Sequence, residues 1–168
     1  METSPEPRPL DPLVKTTLTL CIGLIVITVV GMILTAPDRS IPPYSVMAQN
    51  GEHVTVNVPP RTTAPEIEAL LVRFQAAGHG NRDGFAHLKI KPTTPGDPAG
   101  RYQRVTIYVF DNAGLADEPS LNEYVRGADP LAHSSFERGV RGLYRLTTGT
   151  EFAAMGSRII FQGKVGGG

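Results

Sequence analysis

The side chains of this chain best suited to hold a metal or attack a substrate are four histidines, His53, His79, His87 and His133, and one cysteine, Cys21. No two of the histidines fall at the i, i+4 spacing that puts two metal ligands on one helix face. Cys21 has no second cysteine in the chain to meet, so a disulfide within the domain beyond it, zinc knuckles, a Cys-x-x-Cys-His haem attachment and a thiol redox pair are ruled out. His133-Ser134-Ser135 sets a base beside two hydroxyls, but a nucleophile and its base must meet through space, and a Ser at 134 is explained by helix capping. No Gly-x-Ser-x-Gly, phosphate-binding loop or dinucleotide fingerprint occurs. Asn81-Arg82-Asp83-Gly84 has too few acidic ligands for a calcium loop and reads as a tight turn. The expectation is a protein that is not an enzyme, with no catalytic residue, no metal and no cofactor.

One cationic cluster remains. Arg138, Arg141 and Arg145 share a face if a helix runs through them, and they could meet an acidic partner or anionic lipid headgroups. A strand starting near Gly142 is the competing reading, because Gly139 and Gly142 weaken that helix.

Charge narrows the partners. The chain has 16 Lys+Arg and 16 Asp+Glu, and from residue 37 onward it carries 14 basic and 13 acidic residues. A nucleic-acid binder normally shows a basic excess, so nucleic acid is not an expected partner.

Residues 17–36 (TLTLCIGLIVITVVGMILTA) contain no charge, His, Asn, Gln or Pro. As a helix, twenty residues would be ~30 Å long, which predicts a transmembrane segment. The run is too long for a signal-peptide core, and Pro37 follows the only small-residue site, so an uncleaved anchor is expected. Arg8 and Lys15 on one flank, against Arg39 alone on the other, favour a cytoplasmic N-terminus and an exported C-terminal part. Thr19, Gly23, Ile27, Gly31 and Thr35 recur every four residues and form a helix-packing face of small residues.

The rest of the chain must supply the domain. Tyr44 to Val58 alternates around Asn50-Gly51, the strongest short-range hairpin signal. Thr63-Ala-Pro-Glu66 is a capping box opening a helix with Ile67, Leu70, Leu71 and Phe74 on one stripe. Ala86, Leu88 and Ile90 alternate as a short strand would, and Val105 to Phe110 is the strongest strand sequence in the chain. A helix is predicted near Leu121 to Arg126 and another opened by a capping box at Ser134 and Glu137. A hairpin around Thr147 to Thr150 and a last strand over Arg158 to Gln162 complete the pattern.

The expected fold is one transmembrane helix followed by an extracytoplasmic α+β domain, mostly antiparallel sheet with one or two packed helices. Its parts would be a cytoplasmic tail (1–16), the span (17–36), an extended linker (37–43), the domain (44–162) and a Gly-rich tail (163–168). The expected function is a non-catalytic accessory subunit of a bacterial inner-membrane complex, of photosynthetic or respiratory electron-transfer type, bracing extrinsic subunits and touching other membrane helices and the bilayer. A free-standing anchored periplasmic module that binds a ligand or partner, or an assembly factor, is the alternative.

Overall fold

The structure, a computed structural model, describes residues 12–34, 41–79, 84–93, 102–127 and 129–164; within the first helix, side chains are described at 17, 18 and 20–32. The chain divides into two compact units, 1–38 and 39–168.

The first unit contains helix α1 (Pro12–Leu34). It starts five residues before the apolar run and takes in Lys15. Among the described residues no helix is long and apolar enough to cross a membrane. This corrects the predicted transmembrane span, and with it the single-pass anchor, the inner-membrane location and the orientation inferred from its flanks. On the predicted packing face, Gly23 and Gly31 have open space where a Cβ would stand, and Ile27 is exposed. Thr35 and the Thr19 side chain lie outside the described residues.

The second unit is a six-stranded sheet in the order of the sequence: β1 (Ser45–Asn50), β2 (His53–Asn57), β3 (Val105–Phe110), β4 (Gly142–Thr147), β5 (Thr150–Met155) and β6 (Arg158–Lys164). Four pairs are antiparallel, but β2 and β3 run parallel, from His53 opposite Thr106 to Asn57 opposite Phe110. The sheet is therefore mixed: mostly antiparallel, as expected, with one parallel pair that the expectation did not include. A parallel neighbour requires a crossover, and helices α2 (Ala64–His79) and α3 (Gly84–His87) provide it.

The β1–β2 hairpin forms at the expected place, one residue out of phase. Asn50 pairs with His53, so the turn is Gly51-Glu52, with Gly51 at φ 57°. Gly156 repeats this at the β5–β6 turn with φ 56°. A positive φ at the first turn residue suits glycine, and it matches the twist of paired strands.

Helix α2 begins with the glutamate half of its capping box. The Thr63 N–H and the Thr63 hydroxyl both donate to Glu66 Oε2 at 2.7 Å. These bonds to the ionised carboxylate pull its pKa below the ordinary value. Ile67, Leu70, Leu71 and Phe74 are fully buried against Val54, Val56, Ile107, Val109 and Tyr144 of the sheet. Burial of each such side chain contributes roughly 1.5–3 kcal/mol. The predicted strand over 86–90 is instead the single turn α3 and its continuation. Phe85 and Leu88, three apart, go under α2, and Gly84 lies so close to the Ala77 backbone that a Cβ would come within 3.0 Å of its Cα.

The other face of the sheet carries α4 (Glu118–Arg126) and α5 (Pro130–Gly139). Each starts on an aspartate followed closely by proline. Asp117 accepts from Ser120 N at 2.9 Å, and Asp129 from Leu131 N at 2.8 Å. The Asp129-Pro130 start places Ser134 inside α5 rather than at the predicted cap. Phe110, Phe136, Leu121, Ala48 and Ala116 form a second, smaller core beneath these helices. Two packed helices on each face, rather than one or two in all, complete the correction of the expected fold.

Candidate binding groove

Strand pairing sets two rows of side chains across the α4–α5 face. One row reads Ala48, Thr55, Tyr108, Leu143, Ala154 and Ile159; the next reads Asn50, His53, Thr106, Arg145, Phe152 and Gln162. Over β1 to β3 the first row is buried, and Thr55 is satisfied there by donating to the Ala116 carbonyl. Over β4 to β6 the helices stop. Leu143 is half-buried, the small Ala154 remains buried, and Ile159, at 56% exposure, stands in solvent.

A groove of about 310 Å³ opens at this boundary. Leu143, Phe152 and Ala154 line it from the strands, Val140 and Glu137 from the end of α5, and Tyr108 and Tyr124 from the covered side. Arg145 also lines it, exposed, with no hydrogen bond or ion pair among the described residues. Glu137 is engaged one turn back by His133, whose Nε2 lies 3.4 Å from Oε1.

Behind the groove the aromatic rings are ordered by contact. Tyr124 stacks on Phe136 at 4.2 Å and on His133 at 4.4 Å, and meets Tyr108 edge-on at 5.5 Å. Tyr108 Oη lies 3.0 Å from His53 Nδ1. Burial, the bond to Tyr124 and the nearby Tyr124 ring push the Tyr108 phenol well above its usual pKa, so it remains protonated. Burial lowers the His53 pKa first; Glu52 opposes this, and the Arg145 charge adds to it.

The three arginines singled out from the sequence are not brought together on a helix, because α5 ends at Gly139. Arg138, on α5, donates to the Ser134 carbonyl at 3.2 Å, and Arg141, between α5 and β4, pairs with Asp111. Arg145 alone reaches the groove. The histidines are dispersed as well. His53 faces Tyr108, His79 meets Glu151, His87 is exposed at the end of α3, and His133 stacks on Tyr124. Ser134 donates to the Leu131 carbonyl. Residues 80–83, which hold Asn81 and Asp83 of the turn, lie outside the described residues. Among the described residues no three His, Cys, Asp or Glu side chains group as metal ligands would.

Sequence reasoning did not find Tyr108, Tyr124, Glu137, Phe152 or Ala154. The one local signal was the alternation Leu143, Arg145 against Tyr144, Leu146, which marks Arg145 as facing away from the α2 core. No protein-family model, curated protein or solved structure matches the chain.

Proposed function

We propose that this protein is a non-catalytic accessory subunit whose α+β domain contacts a partner protein through the uncovered half of its sheet. The observation that carries the reading is the groove over β4 and β5, where Leu143 lacks the helical cover that its row-mates Ala48, Thr55 and Tyr108 receive and Phe152 beside it is half-buried. An apolar floor with a few polar groups at its rim is the anatomy of a protein contact. The groups at the rim, an unpaired guanidinium and a carboxylate, are suited to holding and orienting a partner.

The test places a photo-reactive phenylalanine at Phe152 and, as a control on the α2 face, at Arg73, in the full chain in its native cells. The expected result is a discrete cross-linked partner from position 152, absent from position 73 and lost on Leu143→Glu. Equal cross-linking at both positions, or none at 152, overturns the reading.

A further inference from the structure

The groove combines an apolar floor with one exposed, unpaired cation, and this combination narrows what it can receive. Arg145 stands directly across β4–β5 from Phe152, in the same row, with Leu143 and Ala154 paired in the next row. A ligand resting an apolar side chain on Phe152, Leu143 and Ala154 brings its neighbouring residue to the guanidinium. A carboxylate there accepts two parallel N–H bonds, the geometry for which arginine is suited.

We infer that the groove binds an extended segment of the partner in which a large apolar side chain is followed directly by Asp or Glu. Charge complementarity chooses this occupant. Arg141 is neutralised by Asp111 and Arg158 by Glu68, whereas Arg145 has no carboxylate among the described residues. Glu137 does not supply one. It is more than half exposed, and its carboxylate is held 3.4 Å from His133. The size agrees, since about 310 Å³ holds one large side chain and its neighbour rather than a folded element. A second copy of the chain is a poorer occupant through the adjacent β6 edge. Antiparallel pairing of β6 with itself about Phe161 would oppose Arg158 to Lys164, two like charges.

This inference rests on the groove being the contact surface, and its test separates the two. The probe is the peptide Gly-Ser-Phe-Asp-Ser-Gly, acetylated and amidated so that its only charge is the Asp. It is titrated into the full chain and followed by amide shifts in NMR, beside twins carrying Lys for Asp or Ala for Phe. The expected result is saturable shifts confined to Leu143, Arg145, Phe152 and Ala154, with about tenfold weaker binding of each twin, the scale of a charged hydrogen bond or a buried ring. Arg145→Glu should reverse the preference between the Asp and Lys peptides, and Arg145→Gln should abolish it. Glu137→Gln should tighten the Asp peptide. Equal binding of the Asp and Lys peptides overturns the inference, as does binding of free 4-phenylbutyrate but not the peptide, which would make the groove a small-acid pocket. Partner cross-links through Phe152 together with charge-blind peptide binding would sink the acidic-segment assignment alone. Cross-links that avoid Phe152 would sink the contact surface.

Discussion

His79 Nε2 lies 2.6 Å from Glu151 Oε2, tying the last residue of α2 to the start of β5. Glu151 is only 3% exposed, and its other oxygen accepts the Tyr144 hydroxyl at 2.8 Å. Gln75 Nε2 approaches Oε2 at 3.3 Å. The burial of Tyr144 and its bond to Glu151 hold the phenol far above its ordinary pKa, so it stays a donor. A carboxylate taken from water needs such partners, because each unsatisfied buried acceptor is costly.

Tyr144→Phe removes the donor and leaves one Glu151 oxygen buried without it. The expected loss is about 1–3 kcal/mol of stability, read by urea denaturation. His79→Ala should cost less, under about 1 kcal/mol, since that imidazole is half exposed and water can replace it. Equal losses would show that the two bonds are not distinguished by burial.

Gly78 makes this cluster close-packed. A Cβ there would collide with Tyr144 Oη and come within 2.8 Å of Glu151 Oε1. Helix propensity alone would make Gly78→Ala stabilising by roughly 1 kcal/mol. The collision should win, leaving a net loss of about 1–2 kcal/mol, as overpacking does. A gain in melting temperature would show that the cluster yields without loss.

The cap of α4 gives a test remote from the groove floor. Asp117→Ala should cost about 1 kcal/mol, and Asp117→Ser should recover most of it. The Ser120 side-chain and backbone bonds pull the Asp117 pKa down. Its contribution is therefore present above the ordinary value of 3.8 and is lost as pH falls through the lower folded value. In Asp117→Ala that part of the acid limb of a stability–pH curve should flatten.

His53 titrates in a different window. Its pKa is lowered in the folded chain, so as pH falls the unfolded chain takes up the proton first. Stability should be intact above the ordinary value of 6.5 and decline below it. His53 ring signals in NMR should titrate below 6.5, and Arg145→Gln should move that titration upward by removing a nearby positive charge. A downward move would contradict the arrangement.

Much of the domain was legible because its signals are local. Asn50-Gly51 marked a hairpin, Thr63 and Glu66 a helix start, the Ile67–Phe74 stripe a packed face, and 105–110 a strand. What escaped depends on contacts between distant residues. That β2 lies parallel to β3 is decided by how α2 and α3 cross the sheet. That Phe85 and Leu88 pack three apart is decided by the underside of α2. Composition made 17–36 apolar, but it did not fix the bounds of α1. The groove was least legible of all. Its floor is made by residues that become neighbours only through the β4–β5 register, and its openness depends on where α5 stops.

Strand β3 is buried along its whole length, all six residues from Val105 to Phe110. On one side it meets β2 and on the other β4, each reached only through intervening helices, whereas β1–β2 and β4–β5–β6 close through short turns. The domain is thus two ribbons closed by short turns and joined only through β3. Neither ribbon can complete the core without β3, and β3 has nowhere to hide its side chains until both are present. Folding should therefore be all-or-none at this strand, and its amides should be among the last to exchange with solvent.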